Sequence, residues 1–486
     1  MEENQEKVVK APKKGIRLWV FIVSIIATFI VSVGLTIGIV WTQLPKLISN
    51  QNQEHQLSKQ EMFQIEKVFF YLKQAYVDKN VTNEQLIQGA LKGMAESVGD
   101  PYTTYLVNDE TAQLDETVNG SFGGIGAELK SDQSRVVIST TMEGSPSQQV
   151  GLQADDVITK VDGEDMTGKT ISEVVKKVRG EVGTDVVLTI ERAGTSLEVK
   201  LTRASIAINT VKAELDKEDA TIGHIRITSF AKNTAQELEK AVKDLTDKGA
   251  KSFVFDVRYN PGGLLDQAYK VANMFLKDGE PIVQVEDRFG EKKIYKASSD
   301  IGTFKITQPY VLLVNEGSAS ASEILAAAIK EGAGGQIVGT KTYGKGTVQS
   351  VIDISDNSEL KYTNAKWLTP KGNWINKEGV TPTKEVNLPD YAFLKIIDAR
   401  ETLKVGTVSQ NVLSVETILK GLGYSVIADG YFDEATQNAV KSYQQKEGLT
   451  ATGEVDEETA QKLMNSVREL IQQNDTQYQA AKELLK

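Results

Sequence analysis

Residues 317–331, GSASASEILAAAIKE, place Ser318, Ser320 and Ser322 at every second position directly ahead of an alanine-rich helical run. A serine at the start of a helix that follows a buried strand stands at a sheet edge. Its hydroxyl is open to a substrate there, and the next amide, that of Ala321, can point at an oxyanion. Such a hydroxyl becomes a nucleophile only beside a base, most often histidine. The chain has two histidines, His55 in a polar stretch and His224 in an apparent strand, IGHIRITSF, so a Ser/His pair is poorly supported.

Lysine is the other base, once burial lowers its pKa from about 10.4 toward about 7–8, a shift worth roughly 4 kcal/mol. The stretch TYGKGTVQS holds Lys345 between Gly344 and Gly346, glycines that let the backbone pass close to a neighbouring element. If KGTVQ is a strand, Lys345, Thr347 and Gln349 share one face, and the Gln349 amide can orient the amine without adding a charge. The turn NPGG adds Gly262 and Gly263, whose amides are unobstructed by side chains and suit a second oxyanion donor.

Each feature has a plainer structural explanation. Ser320, Ala321, Ser322 and Glu323 fit the S-x-x-E capping box, and NPGG is equally a turn. GTKTYGKG falls one residue short of a phosphate-binding loop and puts Gly346 where the magnesium-binding hydroxyl belongs. An alternating pattern then follows instead of a helix, which argues against nucleotide binding.

The elements that must position these residues run from 220 to 390, where buried-strand runs alternate with helices. SFVFDV leads through RYNPGG into a helix from Leu264 to Phe275, and YVLLV through NEGSAS into a helix from Ser322 to Lys330, then QIVGT. That order implies right-handed crossovers and a largely parallel sheet, with ligands at the carboxyl ends of its strands. Ahead of it, residues 61–98 show helical spacing and predict three short helices. Between 116 and 203 the period turns to two, and DVVLTIERAGTSLEVKL predicts a hairpin in a small β-rich domain. A linker at 400–408 precedes a helical module in which GYFDEATQNAV and GEVDEETAQKL repeat G-x-[FV]-D-E-x-T, a turn feeding a helix. Residues 467–486 read as a polar terminal helix that frays.

The 486-residue chain has room for several cores, and its 40% apolar and 25% charged residues are those of a globular protein. A formal charge of −11 argues against nucleic acid as a partner. The absence of cysteine removes disulfides and thiolate chemistry. Leu18 to Leu44 carry no charge, long enough to cross a bilayer, with Trp19 and Trp41 at the ends. Lys7, Lys10, Lys13, Lys14 and Arg17 precede this span and only Lys46 and Lys59 follow closely, so the N-terminus is expected in the cytoplasm and the rest outside. The alternative is a cleaved signal, although the span is longer than a usual signal core and shows no evident cleavage site.

Taken together, GMAESVGDPYTTYL, FGGIGAEL, SPSQQVGLQADDVITKVDG, IGHIRITSF, DVRYNPGGLLDQA, NEGSASASEILAAAIKE, TYGKGTVQSV and KWLTPKGNWINKEGVTP resemble the carboxyl-terminal processing, or tail-specific, proteases over roughly 60–390. The resemblance implies Ser320 as nucleophile, Lys345 as general base, Gln349 as third catalytic residue, oxyanion donors from Ala321 with Gly262 or Gly263, and no metal or organic cofactor. Residues 116–203 resemble a PDZ domain, which binds a terminal carboxylate through a glycine-rich loop, here Gly124, Ile125 and Gly126. Arg179, after that domain's helix, is a candidate reporter of ligand binding. Residues 409–466 resemble the small peptidoglycan-binding domains of cell-wall enzymes.

The expected architecture is therefore multidomain α/β. It comprises a cytoplasmic segment (1–17), a single-pass membrane anchor (18–44), a stalk (45–60), a helical region (61–110), a PDZ domain (116–203), a protease core (204–400), the peptidoglycan-binding module (409–466) and a terminal helix (467–486). The expected partners are proteins or peptides with exposed C-termini, peptidoglycan, the membrane and, by family analogy, a second copy in a homodimer. The expected location is the outer side of a bacterial cell membrane. The competing expectation is a non-catalytic scaffold that binds tails and cell wall with the same folds.

Overall fold

A computed structural model describes residues 56–132, 135–398 and 400–486. The expected anchor, 18–44, lies outside the described residues; among these, no helix is long and apolar enough to cross a membrane. The described residues divide into two compact units, with the boundary between Leu91 and Lys92. In the first, α1 (Lys59–Ala75) begins at a capping box in which Ser58 and Glu61 exchange hydrogen bonds. It is followed by α2 (Asn83–Glu96), which runs into the second unit. Two helices stand where three were expected, because nothing in the 17 residues of α1 breaks a helix.

The second unit opens with β1 (Thr104–Val107) and α3 (Asp109–Asn119). The PDZ domain follows with β2 (Ser121–Gly124), β3 (Ala127–Asp132), β4 (Arg135–Thr141), β5 (Val157–Val161), β6 (Glu164–Asp165), α4 (Ile171–Val178), β7 (Asp185–Arg192), β8 (Thr195–Thr202) and β9 (Ala204–Ala207). The predicted hairpin is β7–β8, turning at Ala193 and Gly194, both with positive φ. Strand order β3-β4-β5-β7-β8 leaves β3 at an edge. Strand β2 pairs separately with β9, so both chain ends of the domain leave side by side.

The core then runs β10 (Val211–Leu215), β11 (Ile222–Ile227), α5 (Thr234–Asp247), β12 (Ser252–Asp256), α6 (Leu265–Asn273), β13 (Pro281–Asp287), β14 (Lys292–Lys296), β15 (Tyr310–Val314), α7 (Ala321–Ala327), β16 (Gln336–Gly339), β17 (Thr347–Ser355), β18 (Ser358–Leu368) and β19 (Lys384–Glu385). The expected parallel sheet forms, in the order β10-β11-β12-β15-β16-β19, with β10 antiparallel at one edge. All five residues of β12 are buried, as befits a central strand covered on both faces. Helices α5, α6 and α7 pack one face around Phe255, Leu312 and Ile337. A second sheet, antiparallel and built on β18, pairs it with β1, β13 and β17.

The C-terminal region departs most from expectation. Leu403 is fully buried and bridges Val455, and Val408 bridges Tyr431, so 400–408 is part of the helical module and not a linker. Its helices are α8 (Gln410–Gly421), α9 (Glu434–Lys446) and α10 (Glu457–Gln473). The repeated motif works as read: Asp433 and Asp456 cap α9 and α10 by accepting the N–H of Thr436 and Thr459. A last helix, α11 (Thr476–Leu484), does not fray. Ala480 and Ala481 bury against Ile222, Val254, Val311, Leu313 and Val338 on the second face of the parallel sheet.

Candidate active site

Two of the three alternating serines are consumed by structure. Ser318 Oγ donates to the Val257 carbonyl at 2.8 Å and accepts the Asn315 N–H at 3.0 Å, and Ser322 Oγ donates to the Asn260 carbonyl at 3.0 Å. Ser320 differs. Its backbone sits at φ 54°, ψ −111°, outside the ordinary regions for a side-chain-bearing residue, and its hydroxyl makes no cap bond to α7. The Ser320 N–H donates to Glu323 Oε2 at 2.8 Å, while the Glu323 N–H turns to the Ser320 carbonyl, also at 2.8 Å. Only the glutamate half of the capping box forms, and the hydroxyl is left over for chemistry.

Glu323 does more than a cap. Its fully buried carboxylate also accepts Thr342 Oγ1 at 2.6 Å, the Gly344 N–H at 2.7 Å and the Lys345 N–H at 2.8 Å. Burial pushes this carboxyl up against the opposing pull of those four bonds. One side chain thus staples the serine segment to the lysine segment. The S-x-x-E spacing found it, but only as a cap, because its partners at 342–345 are distant in sequence.

Lys345 sits between two glycines as the sequence required, two residues ahead of β17 and not within a strand as KGTVQ suggested. A Cβ on Gly344 would stand 2.9 Å from the Glu378 N, and one on Gly346 2.8 Å from the Asn376 N. The neighbouring element is the 374–379 segment, and Trp367 Nε1 holds the Lys345 carbonyl at 2.8 Å. The side chain is half-buried, with Nζ 4.4 Å from the centre of the Tyr102 ring. Burial and the nearby Lys361 charge push the amine below the usual lysine range, although Asp100 and Glu323 pull it back. Burial also pushes the Tyr102 phenol up to about 12.

Gln349 shares this cavity but does not reach the amine as expected. Gln349 does stay on the Thr347 face, because the bulge opposite it puts its extra residue, Asn364, on β18 and leaves the alternation of β17 intact. Its amide is donated instead to Thr347 Oγ1 at 2.9 Å and Thr363 Oγ1 at 3.2 Å, and Thr363 Oγ1 donates on to Asp100 Oδ2 at 2.6 Å. The Asp100 network is a feature that sequence reasoning missed.

The cavity, about 260 Å³, is lined by Ser320, Ala321, Gly263, Lys345 and Gln349, with Tyr102 and the α3 residues Leu114, Thr117 and Val118. The N–H groups of Ala321 and Gly263 have no partner among the described residues. The Gly262 N–H is already donated to Asn260 Oδ1 at 2.8 Å, which leaves Gly263 as the free donor of the pair. Gly262 has another duty: at φ +103° it lies so close to the serine turn that a Cβ would stand 2.7 Å from the Ala319 carbonyl oxygen. His224 is not in this cavity. It lies on the other face of the sheet, 3.5 Å from Asp256 Oδ2 and against the Tyr478 ring.

In the PDZ domain, the Ile125 carbonyl accepts the Ser147 N–H at 2.9 Å and the Gly126 carbonyl accepts the Met142 N–H at 2.8 Å. The N–H groups of Ile125 and Gly126 stay without a partner among the described residues, next to the open edge of β3. A Cβ on Gly126 would stand 2.3 Å from Ser145 Cβ, so the loop's path needs glycine there. Gly124 continues the β2–β9 ladder. Arg179, at the end of α4, pairs with Glu116 of α3 at 2.6 Å and lies 4.0 Å over the Phe122 ring.

A hydroxyl freed from helix capping, a half-buried amine and two unpaired N–H groups around one cavity are the parts of a serine acyl-transfer site, set beside a domain built to take a peptide strand. Comparison with known proteins agrees. The family model for peptidase family S41 matches residues 221–386, that for a PDZ domain 137–192, that for a peptidoglycan binding domain 408–463, and that for the activating protease CtpB N-terminal domain 31–111. The chain is 40% identical over 423 residues to the carboxy-terminal processing protease CtpA of Bacillus subtilis (strain 168), covering 87% of this chain and 90% of the relative. It is 36% identical over 474 residues to a CtpA-like serine protease of Staphylococcus aureus (strain MRSA252), covering 97% and 94%. Among solved structures, the photosystem II D1 C-terminal processing protease is 30% identical with a TM-score of 0.40, covering 68% of this chain and 94% of that one. The chain belongs to peptidase family S41, as a carboxy-terminal processing serine protease with a PDZ domain.

Proposed function

We propose that this protease is a membrane-anchored endopeptidase of the Ser/Lys type that takes exposed C-terminal tails of extracytoplasmic proteins on its PDZ domain and cleaves them. Ser320 attacks the peptide carbonyl while Lys345, as the neutral amine, accepts the hydroxyl proton. The N–H groups of Ala321 and Gly263 hold the oxyanion, the amine leaves with a proton from Lys345, and water hydrolyses the acyl-enzyme. The observation that carries the reading is the free Ser320 hydroxyl sharing a cavity with an amine whose pKa is depressed.

The tail is bound as an added strand on β3, its carboxylate at Ile125 and Gly126, and Arg179 relays that occupancy through Glu116 to α3, whose other residues wall the catalytic cavity. The uncharged span 18–44 supports anchoring, and the peptidoglycan-binding match supports retention at the cell wall. The exposed Phe63, Val68 and Phe70 of α1 support a homodimer formed through that helix. Cleavage of a tail-bearing peptide by wild type, Ser320→Ala and Lys345→Ala tests the mechanism. Both variants are expected to lose at least about 1,000-fold in turnover, and His224→Ala to keep it. Cleavage undiminished in both variants would remove Ser320 and Lys345 from the mechanism, and no cleavage above background by any of the proteins would leave a tail-binding scaffold.

A further inference from the structure

The C-terminal helix holds more than hydrophobic cover. Its first turn meets Arg258, two residues beyond the end of β12 and five before Gly263. Arg258 is buried with its whole fork engaged. Nε reaches Asp256 Oδ1 at 3.0 Å and Nη2 reaches Asp256 Oδ2 at 2.7 Å. On the other side Nη2 reaches Asp475 Oδ2 at 2.7 Å, and Nη1 reaches Asp475 Oδ1 at 2.9 Å and Gln477 Oε1 at 3.0 Å. A guanidinium held by two carboxylates in this way is fixed in position and orientation. Asp475 also caps α11, accepting the Tyr478 N–H at 2.9 Å.

The segment that Arg258 opens is the one that presents Gly263. Tyr259, next in line, has φ 58° and gives its N–H to Asn315 Oδ1 at 2.8 Å. The Asn260 carbonyl accepts the Ala319 N–H and Ser322 Oγ, both at 3.0 Å, and its Oδ1 accepts the Gly262 N–H at 2.8 Å. The turn is therefore pinned from the serine segment on one side and through Arg258 on the other. The peptidoglycan-binding module leaves and rejoins the core at this latch, for Thr476 Oγ1 donates to the Asn387 carbonyl at 2.7 Å and Gln477 Nε2 to the Val386 carbonyl at 2.9 Å.

We propose that Asp475 is a positioning residue for the protease reaction: from beyond the peptidoglycan-binding module it clamps Arg258 and so sets the turn that offers the Gly263 N–H to the oxyanion. This rests on the reading of Ser320 and Gly263 given above. In the full-length protein, Asp475→Asn keeps a cap for α11 but removes the charge that faces Arg258. It is expected to lower kcat about tenfold or more with KM within about twofold, and to lower the unfolding midpoint as well because Arg258 loses a charged partner. Asp475→Glu restores kcat to within about threefold. Lys482→Ala, which cuts the ion pairs from the same helix to Asp216 and Glu218, lowers the midpoint yet leaves kcat within about twofold. A wild-type kcat in Asp475→Asn, or equal kcat losses in Asp475→Asn and Lys482→Ala, overturns the proposal. Ser320→Ala in the same series separates the two ideas, because its retained turnover would sink the catalytic reading itself.

Discussion

The PDZ domain and the C-terminal helix are fastened to the same protease core by opposite means. The PDZ side uses the pairs Arg179–Glu116, with side chains 40% and 26% exposed, and Lys176–Asp109, with 73% and 70%. The helix side uses Arg258 between two carboxylates, Lys482 between Asp216 and Glu218, and two buried alanines against the sheet. Exposed ion pairs contribute about 0–1 kcal/mol each, whereas breaking a buried one costs about 3–5 kcal/mol. One attachment is built to let go and the other to stay. That is the division which the relay proposed for the PDZ domain requires, with the helix as a structural brace.

The harshest way to break this contrast is to remove residues 475–486. The loss uncovers the apolar face of β11, β12, β15 and β16 and strips Arg258 of half its partners. The core is expected to lose on the order of 5 kcal/mol and to expose apolar surface, read as a fall in denaturant midpoint with dye binding. A core that unfolds like wild type would make the brace ornamental. Glu323→Ala comes next, since it leaves Thr342 Oγ1 and the N–H groups of Ser320, Gly344 and Lys345 without their shared acceptor. A loss of about 3–5 kcal/mol is expected, with turnover gone even where the fold survives at low temperature.

On the regulatory side the effects shrink. A Cβ at Gly123 would stand 1.9 Å from the Gly180 carbonyl oxygen, so Gly123→Ala should push β2 away from the segment that follows α4 and carries Arg179. We expect about 1–3 kcal/mol of destabilisation and uncoupling of tail binding from turnover, checked by tail affinity alongside kcat. Arg179→Ala should cost less than about 1 kcal/mol in stability yet change the dependence of turnover on tail concentration; unchanged activation would remove Arg179 from the relay. Lys361→Ala is the smallest and carries a sign. Removing that like charge lets Lys345 hold its proton more easily, so its pKa rises and the neutral fraction at a given pH falls. The acid limb of the kcat/KM profile should move to higher pH, by about a unit or less.

Much of this site was legible in the primary structure because its chemistry is local. The S-A-S-A-S-E run offered three serines, of which the family resemblance picked Ser320, the Y-G-K-G-T run offered Lys345, and the glycines beside the lysine announced the close approach that Asn376 and Glu378 make. What stayed hidden depends on contacts between distant segments. The Glu323 staple reads as an ordinary cap until Thr342 and Gly344 arrive, and the choice of Gly263 over Gly262 is made by the side chain of Asn260. Gln349 shares the face that alternation gives it, but its amide is taken up by Thr347 and by Thr363 of the neighbouring strand, a partner the alternation does not show. The terminal helix looked expendable because its apolar content is small. Its hold comes from two alanines and a set of charges whose partners sit more than 200 residues away.

The central claim, that Lys345 is the base, is tested most directly by following its side-chain carbon resonance through a pH titration of the Ser320→Ala protein, assigned by its absence in Lys345→Ala. The account predicts a pKa well below the ordinary lysine value of about 10.4, coincident with the acid limb of kcat/KM in the wild type. A resonance that titrates as an ordinary lysine, while kcat/KM rises several pH units lower, would contradict it.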